Sequence, residues 1–278
     1  MRIASDIQPI PTPSMSLEPL RRSKPATAIA DALVIAKRDL RAIPRVPEAL
    51  MDVTFMPILF VLLFRYVFGG AIATEGGSYV NFLIPGIIVQ TMFFGGMYTA
   101  VGLATDIRKG VVDRFRSLPM ARSAVIAGRT MSDMVRNMIG TVVTLAVGFA
   151  IGFRPDGGFG DWVAAIGLIL LMSFAMSWVG AVLGLLARST EAVQAVGFTF
   201  IFPLTFASSA FVPTETMPGW LRTFTDHQPV TVTVNAVRGW MLGTPIGSDG
   251  WQALAWGVGI LIVAIMVSVW LYQRKTAA

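Results

Sequence analysis

Cysteine is absent from the 278-residue chain, histidine occurs once, and charged residues make up only 14%. Without cysteine there is no disulfide, no thiol nucleophile and no thiolate metal site, an absence compatible with any compartment. The single histidine, His227, cannot supply both ligands of an H-E-x-x-H metal site. Lysine occurs only at 24, 37, 109 and 275, preceded by Ser23, Ala36, Arg108 and Arg274, so the phosphate-binding pattern G-x-x-x-x-G-K-[ST] cannot be written anywhere in the chain. No catalytic residue, no metal site and no cofactor is therefore expected in this chain. The low charge also sets it apart from soluble domains, where about 25% of residues are charged. What is present instead is 54% apolar residues and a mean hydropathy of +0.67, the composition of an integral membrane protein.

The few charges partition the chain. Six windows free of them run over 53–64, 76–105, 137–153, 162–187, 192–214 and 250–273. A helix needs about 20 apolar residues to cross a bilayer. The first window reaches that length if Arg65 snorkels from a helix ending near Phe68. Six helices are drawn at about 49–69, 80–105, 131–153, 162–186, 192–212 and 250–272. Of the 22 Lys and Arg residues, 18 fall in the termini and the connections on the same side as the termini, and only Arg65, Arg154, Arg222 and Arg238 on the other. By the positive-inside rule both termini are cytoplasmic, and the basic balance needs no nucleic acid to explain it. The expectation is an all-α, six-span, multi-pass membrane protein, its spans filling 47–278.

Residues 1–25 hold five prolines and no continuous apolar core, so they read as a disordered cytoplasmic tail rather than a signal peptide. Over 26–46, Ile29, Leu33, Ala36, Leu40 and Ile43 recur at helical spacing while Lys37, Arg38 and Arg41 fall on other faces. That pattern suits an amphipathic helix on the inner leaflet, or a solvated helix with one apolar stripe. The connection after the second span repeats it: Ile107, Val111, Phe115 and Leu118 form a stripe, with Arg108, Lys109, Asp113, Arg114 and Arg116 outside it and Pro119 ending the helix. Such a helix docks in a partner groove, or packs on the protein's own helices or the inner leaflet. Apart from Arg65 the windows hold no ionisable side chain, which argues against an ion-coupled carrier. Thr199, Thr205, Ser208 and Ser209 in the fifth window could line a path or hydrogen-bond between helices.

Four stretches carry a resemblance. The run DRFRSLPMAR at 113–122 resembles the cytoplasmic segment of ABC-2 type transporter permeases, in particular those of the daunorubicin-resistance type. FLIPGIIVQ at 82–90, FVPTETMPGW at 211–220 and QPVTVTVNAVR at 228–238 are similar to the same family. The resemblance implies a half-transporter that pairs with a second permease copy and with two copies of a separate ATPase subunit, which binds the ATP and Mg. It makes Lys37, Arg38, Arg41, Arg108, Lys109, Gly110, Asp113, Arg114, Phe115, Arg116 and Leu118 the candidates for coupling to that ATPase. It also implies a hydrophobic small molecule or lipid as substrate, in contact with membrane lipids. Related permeases serve polysaccharides or lipid-linked glycans, and a membrane scaffold that transports nothing is the alternative from another class.

The connection 215–249 is too long and apolar for a plain loop, and the resemblance implies short re-entrant helices there, between spans five and six. Trp220, Asp226, His227, Pro229, Arg238 and Trp240 are its candidate residues, as an external lid or as interfacial anchors. Phe55, Phe60, Phe93, Phe94, Phe198 and Phe202 are candidates for an apolar substrate path, with lipid-facing phenylalanine the plainer reading.

Overall fold

The computed structural model describes residues 47–72, 78–109, 122–187 and 189–277. Helix α1 (Pro47–Leu63) opens on proline, which the first turn tolerates because its missing N–H has no helix partner there. It continues as a wider π-helical turn, Phe64–Phe68. Helix α2 (Tyr79–Arg108) starts where the Ser78 hydroxyl accepts the Val80 N–H at 3.3 Å. At about 1.5 Å per residue its 30 residues span about 45 Å, more than a hydrocarbon core. Helices α3 (Arg122–Ala150) and α4 (Phe159–Leu186) follow. A continuous apolar helical run, Thr190–Phe206, then comprises α5 (Thr190–Val196), a π-helical turn over Gly197–Ile201, and α6 (Phe202–Phe206).

Beyond Phe206 the chain leaves the helix and passes through a short 3-10 turn, Thr214–Thr216. It forms α7 (Gly219–His227) and α8 (Pro229–Leu242), and ends in α9 (Asp249–Ala277). Gly243 terminates α8 in the left-handed conformation, φ 67°, which suits a residue without Cβ. No strand occurs among the described residues, and four helices are long and apolar enough to cross a membrane, with two shorter apolar helices beside them.

Helix α2 is the axis of the molecule, packed by α4, α3, α8, α5 and α1. Its buried residues Leu83, Ile84, Ile87, Ile88, Met92 and Phe93 form the middle of the largest apolar cluster. The closest crossing is with α4. A Cβ on Gly180 would collide with the Gly96 carbonyl oxygen, and one on Gly184 would come 3.2 Å from the Ala100 Cα. The Gly180-x-x-x-Gly184 pair thus packs two helices of one chain backbone to backbone.

Two helix ends differ from the charge-free windows. The third helix begins at Arg122, ahead of the expected start near 131, because charges inside it find partners on α2. Asp133 accepts the Thr99 hydroxyl and lies 3.8 Å from the Arg136 guanidinium, which sits 4.9 Å over the Tyr98 ring. The fifth helix ends at Phe206, short of 212, and the chain after it is bound by the side chains of Gln228, the N-cap of α8, and of Thr231 and Arg238 within α8 instead of by its own ladder.

Candidate functional site

Among the described residues, α1, α2 and the fifth apolar helix line a cavity of about 790 Å³. Met56, Pro57 and Phe60 of α1 form one wall, and Gln194, Gly197, Phe198 and Phe202 of the fifth apolar helix form the opposite one. The floor is α2, through Gln90, Thr91, Phe94, Met97, Tyr98, Val101 and Gly102. Its size matches a site for a drug-sized molecule, and its surface of aromatic and Met side chains with a few amide and hydroxyl groups suits an amphipathic one. At Gly197 the wall meets the floor, since a Cβ there would push aside the flexible terminal methyl of Met97. Proline at 57 and 203 removes ladder hydrogen bonds in the two walls.

Of the six phenylalanines singled out for a path, Phe60, Phe94, Phe198 and Phe202 meet in this cavity. Phe93 is 1% exposed and belongs to the core between α2 and its neighbours, and Phe55 stands half exposed on the outside of α1. Sequence reasoning passed over Gln90 and Gln194, the two amides of the lining. Their signal was available: a glutamine inside an otherwise apolar span needs a partner or a ligand.

At the end of the bundle that carries the second connection, Arg108 occupies the last turn of α2 and the exposed Lys109 caps it, its N–H donating to the Thr105 carbonyl at 3.0 Å. One turn back, Asp106 accepts from Arg129 of α3 at 2.5 Å, both groups about a quarter exposed. This ion pair staples together the two helices from which 110–121 departs. Gly110, Asp113, Arg114, Phe115, Arg116 and Leu118, like Lys37, Arg38 and Arg41, lie outside the described residues.

The opposite end carries α7 and α8. Trp220 is 78% exposed; Asp226 pairs with Arg222 at 3.4 Å; and the His227 ring nitrogen Nδ1 lies 3.0 Å from the Thr223 carbonyl. On α7 the Leu221 and Thr225 side faces the protein, and Trp220 and Phe224 lie on one exposed flank with Arg222 and Asp226 on the other. That division fits a helix at a membrane surface, lipid on one side and water on the other. Pro229 is the first residue of α8, and Trp240 is half-buried against the core.

Arg238 hydrogen-bonds across elements. Its Nε donates to the Phe82 carbonyl of α2 at 3.1 Å, its Nη2 to the Ser209 carbonyl at 2.6 Å, and its plane lies 3.7 Å over the Phe82 ring. Burial pushes its pKa down to about 9, and the charge of Glu215 opposes that shift, so the guanidinium stays cationic at neutral pH. Among the described residues, no three His, Cys, Asp or Glu side chains gather as a metal ion would need.

The profile of the ABC-2 type transporter family matches residues 31–242. The daunorubicin resistance ABC transporter permease of Streptomyces coeruleorubidus is 37% identical over 252 residues, 91% of this chain and 89% of that protein. A protein of Mycobacterium tuberculosis (strain ATCC 25618 / H37Rv) named as a probable doxorubicin resistance ABC transporter permease is 26% identical over 251 residues, 89% of this chain and 90% of that one.

Proposed function

We propose, since this chain belongs to the ABC-2 type transporter family, that it is the membrane-spanning permease subunit of an ATP-driven exporter of hydrophobic or amphipathic compounds. The substrate is a drug-like natural product or a lipid. Six spans place both termini in the cytoplasm of a prokaryotic cell, and a second permease copy and two copies of a separate ATPase subunit complete the transporter. ATP and Mg bind to that ATPase, and no covalent chemistry takes place in this chain.

The observation that carries this reading is the cavity between α1, α2 and the fifth apolar helix, with its aromatic and Met walls and its four polar groups Gln90, Thr91, Tyr98 and Gln194. Among the described residues no charged side chain lines it, which favours an amphipathic organic molecule over an ion or a charged glycan. Likeness to drug-resistance permeases over most of the chain supports the same class.

Coupling follows from the staple at the cytoplasmic end. A push on 110–121 acts on α2 and α3 together, because Asp106 and Arg129 join their roots. Helix α2 is also the floor of the cavity, so a shift of α2 changes the cavity's shape without any element having to unfold. Arg108, Lys109, Gly110, Asp113, Arg114, Phe115, Arg116 and Leu118, with Lys37, Arg38 and Arg41, make the contact with the ATPase. Trp220, Asp226, His227, Pro229, Arg238 and Trp240 form the lid at the other end.

The test is to solubilise the tagged protein from its native membrane in mild detergent and to identify what accompanies it by mass spectrometry. A stoichiometric soluble subunit bearing G-x-x-x-x-G-K-[ST], with ATP-dependent efflux of an amphipathic dye from vesicles holding both, is the expected result. A folded, dimeric protein that repeatedly comes without any ATPase would overturn the exporter reading in favour of a scaffold.

A further inference from the structure

Gln228, the N-cap of α8, and Thr231, Asn235 and Arg238 within it are polar side chains recurring at steps of three, four and three along one side of the helix. All four reach the chain that leaves the fifth apolar helix. The Gln228 amide donates to the carbonyls of Leu204 and Ala207, each at 3.2 Å, at a helix end where carbonyls lack ladder partners. The Thr231 hydroxyl accepts the Ser209 N–H at 3.3 Å, and Asn235 Oδ1 accepts the Ser209 hydroxyl at 2.7 Å. Arg238 completes the set by donating to the Ser209 carbonyl and, at 3.3 Å, to the same Asn235 oxygen. The N–H, carbonyl and hydroxyl of Ser209 are thus all held by one face of one helix.

From the segment so held hang the rings that continue the cavity wall. Phe202 lines the cavity, Phe206 stacks on it at 4.2 Å, and Phe206 lies 4.9 Å from Phe211. Phe211, 2% exposed, stacks at 4.2 Å on Phe64, one turn beyond the Phe60 of the opposite wall. The ladder therefore joins the two walls at the lid-side end. Its position depends on Ser209, because residues 207–209 have no helix of their own to fix them.

We propose that Arg238 is a positioning residue of the transport cycle: by gripping Ser209 against Phe82 it keeps the Phe206–Phe211–Phe64 stack closed across the lid-side end of the cavity. Release of a compound at that end requires Arg238 to let go of the Ser209 carbonyl. The fork is essential to this role. A lysine carries the charge but cannot bond two backbone carbonyls in one plane while lying flat on Phe82. The proposal rests on the cavity being a transport path, and its test is arranged to fail separately from that reading.

The natural chain has no cysteine, so a single introduced thiol reports without background. Ser208→Cys places it in the held segment, where the native side chain is fully buried, and Ala253→Cys places a control in the equally buried face of α9. Each is reconstituted without ATPase or substrate and exposed on both membrane faces to an impermeant maleimide. With Arg238 present both thiols should label slowly. With Arg238→Lys or Arg238→Gln the thiol at 208 should label at least tenfold faster while that at 253 stays protected. Unchanged labelling at 208 overturns the proposal. Should those variants also expose 253, Asn235→Ala decides, because it keeps the cation and removes the oxygen that Ser209 and Arg238 share. The same tenfold rise is expected there, and an unchanged rate again overturns the proposal. With no nucleotide or ATPase in the experiment, a negative result leaves the exporter reading standing, and the absence of a co-purifying ATPase leaves the latch standing.

Discussion

Replacing Gly180 by Ala adds one methyl group where two helix backbones touch. The new Cβ would stand 2.8 Å from the Gly96 carbonyl carbon and 3.1 Å from its Cα. Carbon atoms rest about 3.5–4.0 Å apart, so α2 and α4 must part by close to 1 Å at that point. Both are long helices and no flexible side chain can yield in place of the backbone, so the gap is felt along the seam. Overpacking of this kind costs about 1–3 kcal/mol. Gly167 lies on the same helix with nothing within 4 Å of a Cβ, so Gly167→Ala should stabilise by about 0.5–1 kcal/mol through helix propensity alone. The two substitutions are chemically identical and should move in opposite directions. Unfolding of purified protein by SDS, followed by tryptophan fluorescence, measures both. Equal effects would refute the close crossing. Loss of the dimer with an unchanged unfolding midpoint for Gly180→Ala would show that the glycine pair joins two chains instead of two helices.

Asp133→Leu should destabilise by about 3 kcal/mol, because it removes the carboxylate that faces the largely buried Arg136 and accepts the Thr99 hydroxyl; Asp133→Leu combined with Arg136→Met should recover part of that in the same titration. Reversing Asp106 and Arg129 one at a time should lower substrate-stimulated ATP hydrolysis by the reconstituted complex, and reversing both should restore it in large part. Phe115→Ala or Arg116→Glu should reduce that stimulated hydrolysis without changing folding, and stimulation equal to the parent would remove both from the coupling interface. Phe198→Ala should raise the apparent KM for an amphipathic dye several-fold, while Phe55→Ala, outside the cavity, should leave it unchanged.

The long helices were legible because charge is expensive in a bilayer, so that its absence marks them and Asp and Arg mark their limits. That rule misplaced the start of α3 for the reason it usually works. Asp133 and Arg136 are tolerable inside the helix only because Thr99 and Tyr98 of another helix meet them, and a partner from elsewhere leaves no local pattern. Phe93 and Phe94 show a second limit. They are adjacent, equally apolar and in one helix, and a rotation of about 100° sends one to the core and the other to the cavity. Arg238 stood out as a charge in an apolar stretch, but its grip on Ser209 required knowing that the fifth helix stops at Phe206, where no proline or glycine follows to announce it. The segment 110–121, proposed for coupling, lies outside the described residues, and only its stripe and its resemblance point to that role.

The helical run Thr190–Phe206 is about 25 Å long at about 1.5 Å per residue, some 5 Å less than a typical hydrocarbon core. Neighbouring helices such as α2 and α4 have no such deficit, so the bilayer beside the fifth helix must thin, or the irregular chain after Phe206 must take up the difference while shielded by α8. Lipid thickness then becomes a mechanical load on the same segment that Arg238 holds. Longer acyl chains pull on it and shorter ones relieve it, so on the proposal made above the surrounding membrane takes part in how readily the lid-side end of the cavity opens.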